Sequence, residues 1–147
     1  MTQFMYESSV SALLIGKYQE DRSLVHEVFR NHGWQLFEAV DRRRALRCLD
    51  LNPVHVVIVE SDLPHWNWKR VLRDLRNLAH PPQLIVTSRM ADDYLWSEVL
   101  NIGGFDVLAQ PLAQEELERV ISSARRHFGI PPRRAGQPKV NLAAGVA

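Results

Sequence analysis

Two hydrophobic patterns alternate along the chain. Short apolar runs, typical of strands, are followed by segments whose apolar residues recur every three or four positions, typical of helices with one buried face. Strands are predicted in the segments 10–15, 34–40, 54–59, 83–89 and 105–111. Helices are predicted in the segments 21–33, 41–52, 69–78, 90–102 and 114–128. Regular alternation of strands and helices predicts an α/β fold, a parallel sheet with right-handed crossovers and helices on both faces.

Residues with known end preferences mark several helix boundaries. Asp21 is expected to cap the first helix through its side chain, and Gly33 stands where a left-handed C-terminal residue is favoured. Asp41 opens the second helix in the same way. We predict a single domain over residues 10–128, preceded by an N-terminal extension at 1–9 and followed by a flexible, proline-containing tail at 129–147.

The composition indicates the cellular compartment but favours no class of ligand. The 147 residues contain one cysteine and carry a formal net charge of +1. We expect a cytoplasmic protein, since no internal disulfide is possible and no apolar run approaches the roughly 18 residues of a membrane span. The balanced charge predicts no specific nucleic-acid partner and no membrane partner, although arginines cluster locally, as at 42–44. The six histidines are scattered, so no metal site is predicted.

In an open parallel sheet, binding sites form beyond the carboxyl ends of the strands. The residues at those positions are therefore the candidate site residues. They are Gly16 and Lys17 after the first strand, Glu60 after the third, Thr87 and Ser88 after the fourth, and Gln110 and Pro111 after the fifth.

The segment "VVIVESDLP" at 56–64, the strand "LIVTS" and the segment "GGFDVLAQP" closing on Pro111 resemble the receiver domain of bacterial two-component response regulators. The similarity covers about residues 10 to 128. It implies a flavodoxin-like (βα)5 doubly wound sandwich with the strand order 2-1-3-4-5. In that family an aspartate ending the third strand accepts a phosphoryl group from a histidine kinase. An acidic pair helps to hold Mg²⁺, a Thr or Ser ends the fourth strand, and a Lys before Pro ends the fifth.

This sequence departs from that pattern at four of the five positions. Gly16 and Lys17 replace the acidic pair, Glu60 replaces the acceptor aspartate, and Gln110 replaces the lysine, whereas Thr87 keeps the expected type. Mg²⁺ needs oxygen ligands, which glycine and lysine side chains do not supply. We therefore expect no Mg²⁺ cofactor, no phosphorylation by the usual aspartyl mechanism and no catalytic residues.

Two interpretations explain a carboxylate at position 60. Glu60 projects further than aspartate and is a partial mimic of the phosphorylated state, or it forms an ion pair with the Lys17 ammonium in place of the missing metal. Asp62 is an alternative acceptor, although its place on the loop is expected to turn it away from the crevice.

Several residues have both a functional and a structural interpretation. Thr87 is either a switch hydroxyl or an ordinary end of a buried strand. Trp66 and Trp68 either form a partner-binding surface or fold over the crevice. Tyr94, Trp96 and Val107 are possible interface residues, because receiver domains pair through this region, and Val107 takes the place of the family's aromatic switch residue.

We predict an atypical receiver domain of a response regulator that is not an enzyme and acts through protein contacts. Its expected partners are a histidine kinase or an output protein, and a homodimer is possible. One alternative is a working phosphorelay receiver that uses Glu60 or Asp62. The other is a ligand-binding enzyme of flavodoxin-like fold, which the lack of a glycine-rich phosphate loop after the first strand disfavours.

Overall fold

The computed structural model describes residues 9–131, in which five strands alternate with five helices. The strands are β1 (Ser11–Ile15), β2 (Gln35–Ala39), β3 (Val56–Glu60), β4 (Gln83–Ser88) and β5 (Asp106–Ala109). The helices are α1 (Arg22–His32), α2 (Arg42–Leu51), α3 (Trp68–Arg76), α4 (Asp93–Asn101) and α5 (Gln114–Arg126). The predicted alternation is confirmed. Most of the predicted N-terminal extension and C-terminal tail lies outside the described residues.

The strands form one parallel sheet in the order β2-β1-β3-β4-β5. This is the predicted flavodoxin-like (βα)5 arrangement. Helices α1 and α5 pack on one face of the sheet and α2, α3 and α4 on the other, so two apolar cores enclose it. The middle strand β3 is buried at its first four residues because both of its faces are covered, which explains its uninterrupted apolar run.

Element ends differ from the sequence prediction by one to three residues, as is usual where helices and strands fray. Glu60 belongs to β3, whereas the prediction ended that strand at residue 59. The fourth helix is shorter than predicted and begins at Asp93, because Asp92 caps it by accepting from the Leu95 N–H at 2.9 Å.

Two of the three predicted helix caps are confirmed, and one prediction is wrong. Gly33 ends α1 with a φ of 68°, and Asp41 caps α2 by accepting from the Arg44 N–H at 2.8 Å. Asp21 occupies the N-cap position of α1, but its side chain makes no capping hydrogen bond. Its carboxylate turns toward the end of β5 instead, so the capping role expected for this side chain is wrong.

None of the helices within residues 9–131 is both long and apolar enough to cross a bilayer.

Candidate functional site at the carboxyl edge of the sheet

The register of the strands brings the predicted site residues to one edge of the sheet. Ile15 lies beside Val59, and Glu60 lies beside Thr87 on the next strand. Ser88 in turn pairs with Ala109, directly before Gln110. Parallel strands end together, so residues far apart in sequence surround one crevice.

Glu60 folds back over Gly16, and the two residues fit only as a pair. Gly16 has a φ of 132°, a backbone conformation that residues with a Cβ rarely adopt. A Cβ built at Gly16 would overlap the Oε1 atom of Glu60. The longer side chain at position 60 thus occupies space that a side chain at position 16 would otherwise take.

The carboxylate of Glu60 is held by main-chain donors. Its Oε1 accepts from the Lys17 N–H at 2.9 Å and from the Tyr18 N–H at 3.4 Å. Successive N–H groups of this kind form an anion-binding concavity. Tyr18 has a φ of 48°, which is uncommon for a residue other than glycine and forms part of this turn.

The ion pair expected between Lys17 and Glu60 is therefore wrong. Within the described residues no contact joins the Lys17 ammonium to the Glu60 carboxylate, and the Lys17 side chain is exposed. Backbone N–H groups already satisfy the carboxylate, and an ammonium left in water loses neither hydration nor side-chain entropy.

Tyr18 fills the space beside Thr87. Its ring is 1% exposed, and its hydroxyl shares a hydrogen bond of 2.7 Å with the Thr87 hydroxyl, which also lies 3.4 Å from the Val59 carbonyl oxygen. Burial raises the pKa of Tyr18 well above its usual value, and the nearby negative charge of Glu60 acts in the same direction. Thr87 is thus bonded to a neutral phenol, whereas the expected switch would move its hydroxyl toward Glu60.

Gln110 and Asp21 form a second polar contact at the same edge. Asp21 is 6% exposed and accepts from the Gln110 side-chain amide at 3.1 Å and from the Leu112 N–H at 3.0 Å. The amide at position 110 thus donates to a buried carboxylate on the loop that enters α1. This bond holds the end of β5 against that loop.

A cleft of about 710 Å³ opens beside Glu60, between the ends of β1 and β3 and the start of α2. Lys17, Arg43 and Arg89 contribute positive charge to its wall, and Leu63 contributes apolar surface. Asp62 lines the same cleft, so the expectation that it turns away from the crevice is wrong.

Trp66 and Trp68 belong to the interior. Each is 5% exposed and packs in the core beneath α3, so the alternative in which they form an exposed partner-binding surface is wrong. Trp66 also lines the cleft, and its indole N–H donates to Asp74 at 2.8 Å. Trp66 thus forms part of the wall of the cleft, which remains open, so the alternative in which these rings plug the crevice is not borne out.

The possible interface residues differ in exposure. Tyr94 is 76% exposed and Trp96 is 43% exposed, both on α4, whereas Val107 on β5 is 9% exposed. The two aromatic residues are therefore available for contact, and Val107 contributes to the core.

The side chains of this edge do not resemble a Mg²⁺ site. Gly16 supplies no ligand, Lys17 supplies a cation, and an oxygen of Glu60 is already bonded to backbone N–H groups. Between residues 9 and 131, no three His, Cys, Asp or Glu side chains converge in a way that could hold a metal ion.

Comparison with known proteins agrees with this fold. The family model of the response regulator receiver domain matches residues 13–122. The chain belongs to the response regulator receiver family. A receiver domain is a signalling module of two-component systems. A search of curated proteins found no match to this sequence.

Solved structures of receiver domains superpose well at low sequence identity. The signal receiver domain of an HD domain-containing protein from Pseudomonas fluorescens Pf-5 is 21% identical, with a TM-score of 0.70 over 81% of this chain and 96% of that one. A receiver domain protein from Clostridium thermocellum is 18% identical, with a TM-score of 0.69 over 80% and 95%. The Saccharomyces cerevisiae structure of Ypd1 with the receiver domain of Ssk1 is 13% identical, with a TM-score of 0.70 over 82% and 91%. These similarities support the fold.

Sequence reasoning missed Tyr18 and the role of Asp21. Tyr18 follows the first strand by three residues, and no periodicity separates a loop aromatic that turns inward from one that faces water. The sequence clue to this role is the position of Tyr18 directly after Gly16 and Lys17. An aromatic side chain in that short loop lies near the ends of the neighbouring strands.

Proposed function

We propose that this receiver domain is a fixed signalling module, which acts through protein contacts and is not switched by Mg²⁺-dependent phosphorylation. The observation that supports this most strongly is the position of the Glu60 carboxylate over Gly16, bonded to the Lys17 and Tyr18 N–H groups. A negative group is thereby placed permanently at the crevice. With one charge it is a partial substitute for a phosphoryl group, which carries about two.

Two further features support a fixed state. Phosphoryl transfer depends on cations that neutralise the transferring oxygens, and the chain has Gly16 and Gln110 where relatives place a metal ligand and a lysine. The Thr87 hydroxyl is bonded to the buried Tyr18, so moving it toward Glu60 requires breaking that bond.

Incubation of the full-length chain with Mg²⁺ and acetyl phosphate tests this proposal, with a conventional receiver domain treated in parallel. Intact-mass spectrometry is expected to show no phosphoryl addition to this chain and an addition to the conventional domain. A phosphoryl group on Glu60 or Asp62 would overturn the proposal and favour a phosphorelay receiver. Stabilisation by a flavin or a nucleotide in a thermal-shift assay would favour the flavodoxin-like ligand binder.

The proposed protein contact lies on α4. Tyr94 and Trp96 are exposed there, and Met90 and Ile102 add exposed apolar surface at either end of the helix. Exposed aromatic residues are frequent energetic anchors of interfaces. In the structure of Ypd1 with the receiver domain of Ssk1, a histidine phosphotransfer protein is bound to a receiver domain, so a protein of that kind or a second copy is a suitable partner.

Light scattering after size-exclusion chromatography separates these partners. A homodimer through α4 is expected to dissociate in the Trp96→Arg variant while the secondary structure stays unchanged. Concentration-independent elution of the native chain as a monomer would exclude the second copy as the partner of this surface.

A further inference from the structure

Helices α2 and α3 carry a concentration of positive charge that the balanced composition hides. The chain as a whole has a formal net charge of +1, yet these two helices contain eight lysines and arginines against two aspartates. All eight basic residues are exposed: Arg42, Arg43, Arg44, Arg47, Lys69, Arg70, Arg73 and Arg76. We call this surface the α2–α3 basic face.

The two helices form one continuous surface. They lie on the same side of the sheet and share one apolar core. The Arg42 guanidinium on α2 contacts the Asp74 carboxylate on α3 at 2.9 Å, which joins the two helices directly. Arg43 and Arg47 are four positions apart, and Arg73 and Arg76 are three apart, so each pair lies on one side of its helix.

Within residues 9–131, three of the eight basic side chains form an ion pair, one donates to a backbone carbonyl, and four do neither. Arg42 contacts Asp74, Arg44 lies 3.8 Å from Asp41, and Lys69 contacts Glu98 at 2.7 Å. The Arg70 guanidinium donates to the carbonyl of His65. Within residues 9–131, no ion pair engages the remaining four arginines: Arg43, Arg47, Arg73 and Arg76.

The residue types on this face favour phosphate groups over a protein surface. Seven of the eight basic residues are arginines, whose planar guanidinium groups bind phosphate oxygens in a bidentate manner. The cores of protein interfaces are rich in aromatic residues and poor in charge. The nearby aromatic residues Trp66 and Trp68 are buried, so they offer neither an interface anchor nor a platform for stacking unpaired bases.

We propose that the α2–α3 basic face binds the phosphate backbone of double-stranded nucleic acid without reading its sequence. Regularly spaced phosphates complement rows of exposed arginines, and release of condensed counterions supplies the driving force. Helix α4 carries Asp93 and Glu98 and no basic residue, so the polyanion is directed away from Tyr94 and Trp96. The Lys69–Glu98 ion pair marks the border between the α2–α3 basic face and α4. This inference does not depend on the proposed state of the crevice.

Fluorescence anisotropy of the full-length chain with a labelled 20-base-pair duplex of arbitrary sequence tests the proposal. If the four unpaired arginines each neutralise one phosphate, affinity is expected to fall about 10²-fold when the salt concentration rises fourfold. The variant Arg43→Gln/Arg47→Gln/Arg73→Gln is expected to bind at least about tenfold more weakly and to reduce the slope of log affinity against log salt by about 3.

A matched control removes the same amount of charge from the other side of the sheet. Arg30 on α1, and Arg119 and Arg126 on α5, are exposed and form no ion pair in the described part of the chain. Their triple glutamine variant has the same net charge as the test variant and is expected to retain duplex affinity within about twofold. Circular dichroism and thermal unfolding of both variants verify that they are folded.

Several results would overturn the proposal. Equal weakening in both triple variants would show that overall charge, and not this face, governs binding. Undiminished binding in the test variant would place the contact elsewhere in the chain. No duplex binding at low salt, or tighter binding to polyglutamate or to vesicles of phosphatidylserine, would show that the face serves an acidic protein or a membrane surface.

Discussion

The fit between Gly16 and Glu60 makes a quantitative prediction about their joint substitution. Gly16→Ala has two separate costs, because its φ of 132° strains any residue with a Cβ and because that Cβ would displace the Glu60 carboxylate. The backbone strain is worth about 1–3 kcal/mol. The displaced carboxylate loses its bond to the Lys17 N–H, a charge-assisted hydrogen bond worth about 1.5–3 kcal/mol. The single variant is therefore expected to lose about 2.5–6 kcal/mol of unfolding free energy.

The second cost disappears when the carboxylate is absent. In a Glu60→Ala background, Gly16→Ala should cost only the backbone strain, so the double-mutant cycle should give a coupling energy of about 1.5–3 kcal/mol. Urea unfolding followed by tryptophan fluorescence measures all four proteins. The change in unfolding free energy caused by Glu60→Ala alone measures what the carboxylate contact contributes to stability.

Gly33 supplies the matched control for backbone strain. It also has a positive φ, of 68°, but a Cβ there would meet no atom within 4 Å. Gly33→Ala should therefore destabilise the chain by strain alone and should be additive with Glu60→Ala to within about 0.5 kcal/mol. Additivity of Gly16→Ala with Glu60→Ala to the same tolerance would refute the argument that these two residues fit as a pair.

Two further predictions concern pH. Because the pKa of Tyr18 is raised, the folded state keeps its proton where the unfolded state has lost it, so stability should fall as pH rises above about 10. Tyr18→Phe should lessen this alkaline loss of stability, and it should cost about 1 kcal/mol at pH 7 because the hydrogen bond to Thr87 is lost. Urea unfolding measures both effects. If the free energy of unfolding falls just as steeply above about pH 10 in the variant, Tyr18 is not the group responsible. For Asp74, burial alone would raise the pKa, but hydrogen bonds from Arg42 and Trp66 outweigh it and hold the pKa below its usual value. The stability that the Asp74 carboxylate contributes is present above its unfolded pKa and is lost as pH falls through its folded pKa. Asp74→Asn should therefore lower stability at pH 7 and lessen the further loss of stability below about pH 4. The same loss of stability in acid in both proteins would contradict this prediction.

The sheet and its helices could be predicted because their hydrophobic pattern follows directly from burial. A central parallel strand such as β3 is covered on both faces and must be apolar throughout, and a covering helix must present an apolar stripe. The positions at the carboxyl edge followed from topology, since strands that run in parallel end together. Glu60, Thr87 and Gln110 were thus located before their contacts were known.

The contacts within the edge could not be predicted, because they depend on loop backbone that has no periodicity. Lys17 and Glu60 lie at the ends of two adjacent strands, which suggested an ion pair. The turn at Gly16 instead presents the Lys17 N–H to Glu60 and leaves the ammonium in solvent. Similarly, an aspartate before a helix suggested a cap, whereas Asp21 accepts from the Gln110 amide and the Leu112 N–H instead. Competition between side-chain and backbone donors is decided by loop geometry, which the sequence pattern does not encode.

If the crevice is fixed as proposed, no single substitution is expected to give it conventional receiver chemistry. Glu60→Asp would shorten the side chain and withdraw it from the Lys17 N–H, but Gly16 and Lys17 would still supply no oxygen ligand for Mg²⁺. Gly16→Asp would add a ligand, but its Cβ would overlap Glu60 while that residue remains. Positions 16 and 60 must therefore change together, and Gln110 would still lack the positive charge that stabilises the transferred group. Under the proposed function, several interdependent substitutions are therefore expected to be needed before the crevice accepts a phosphoryl group.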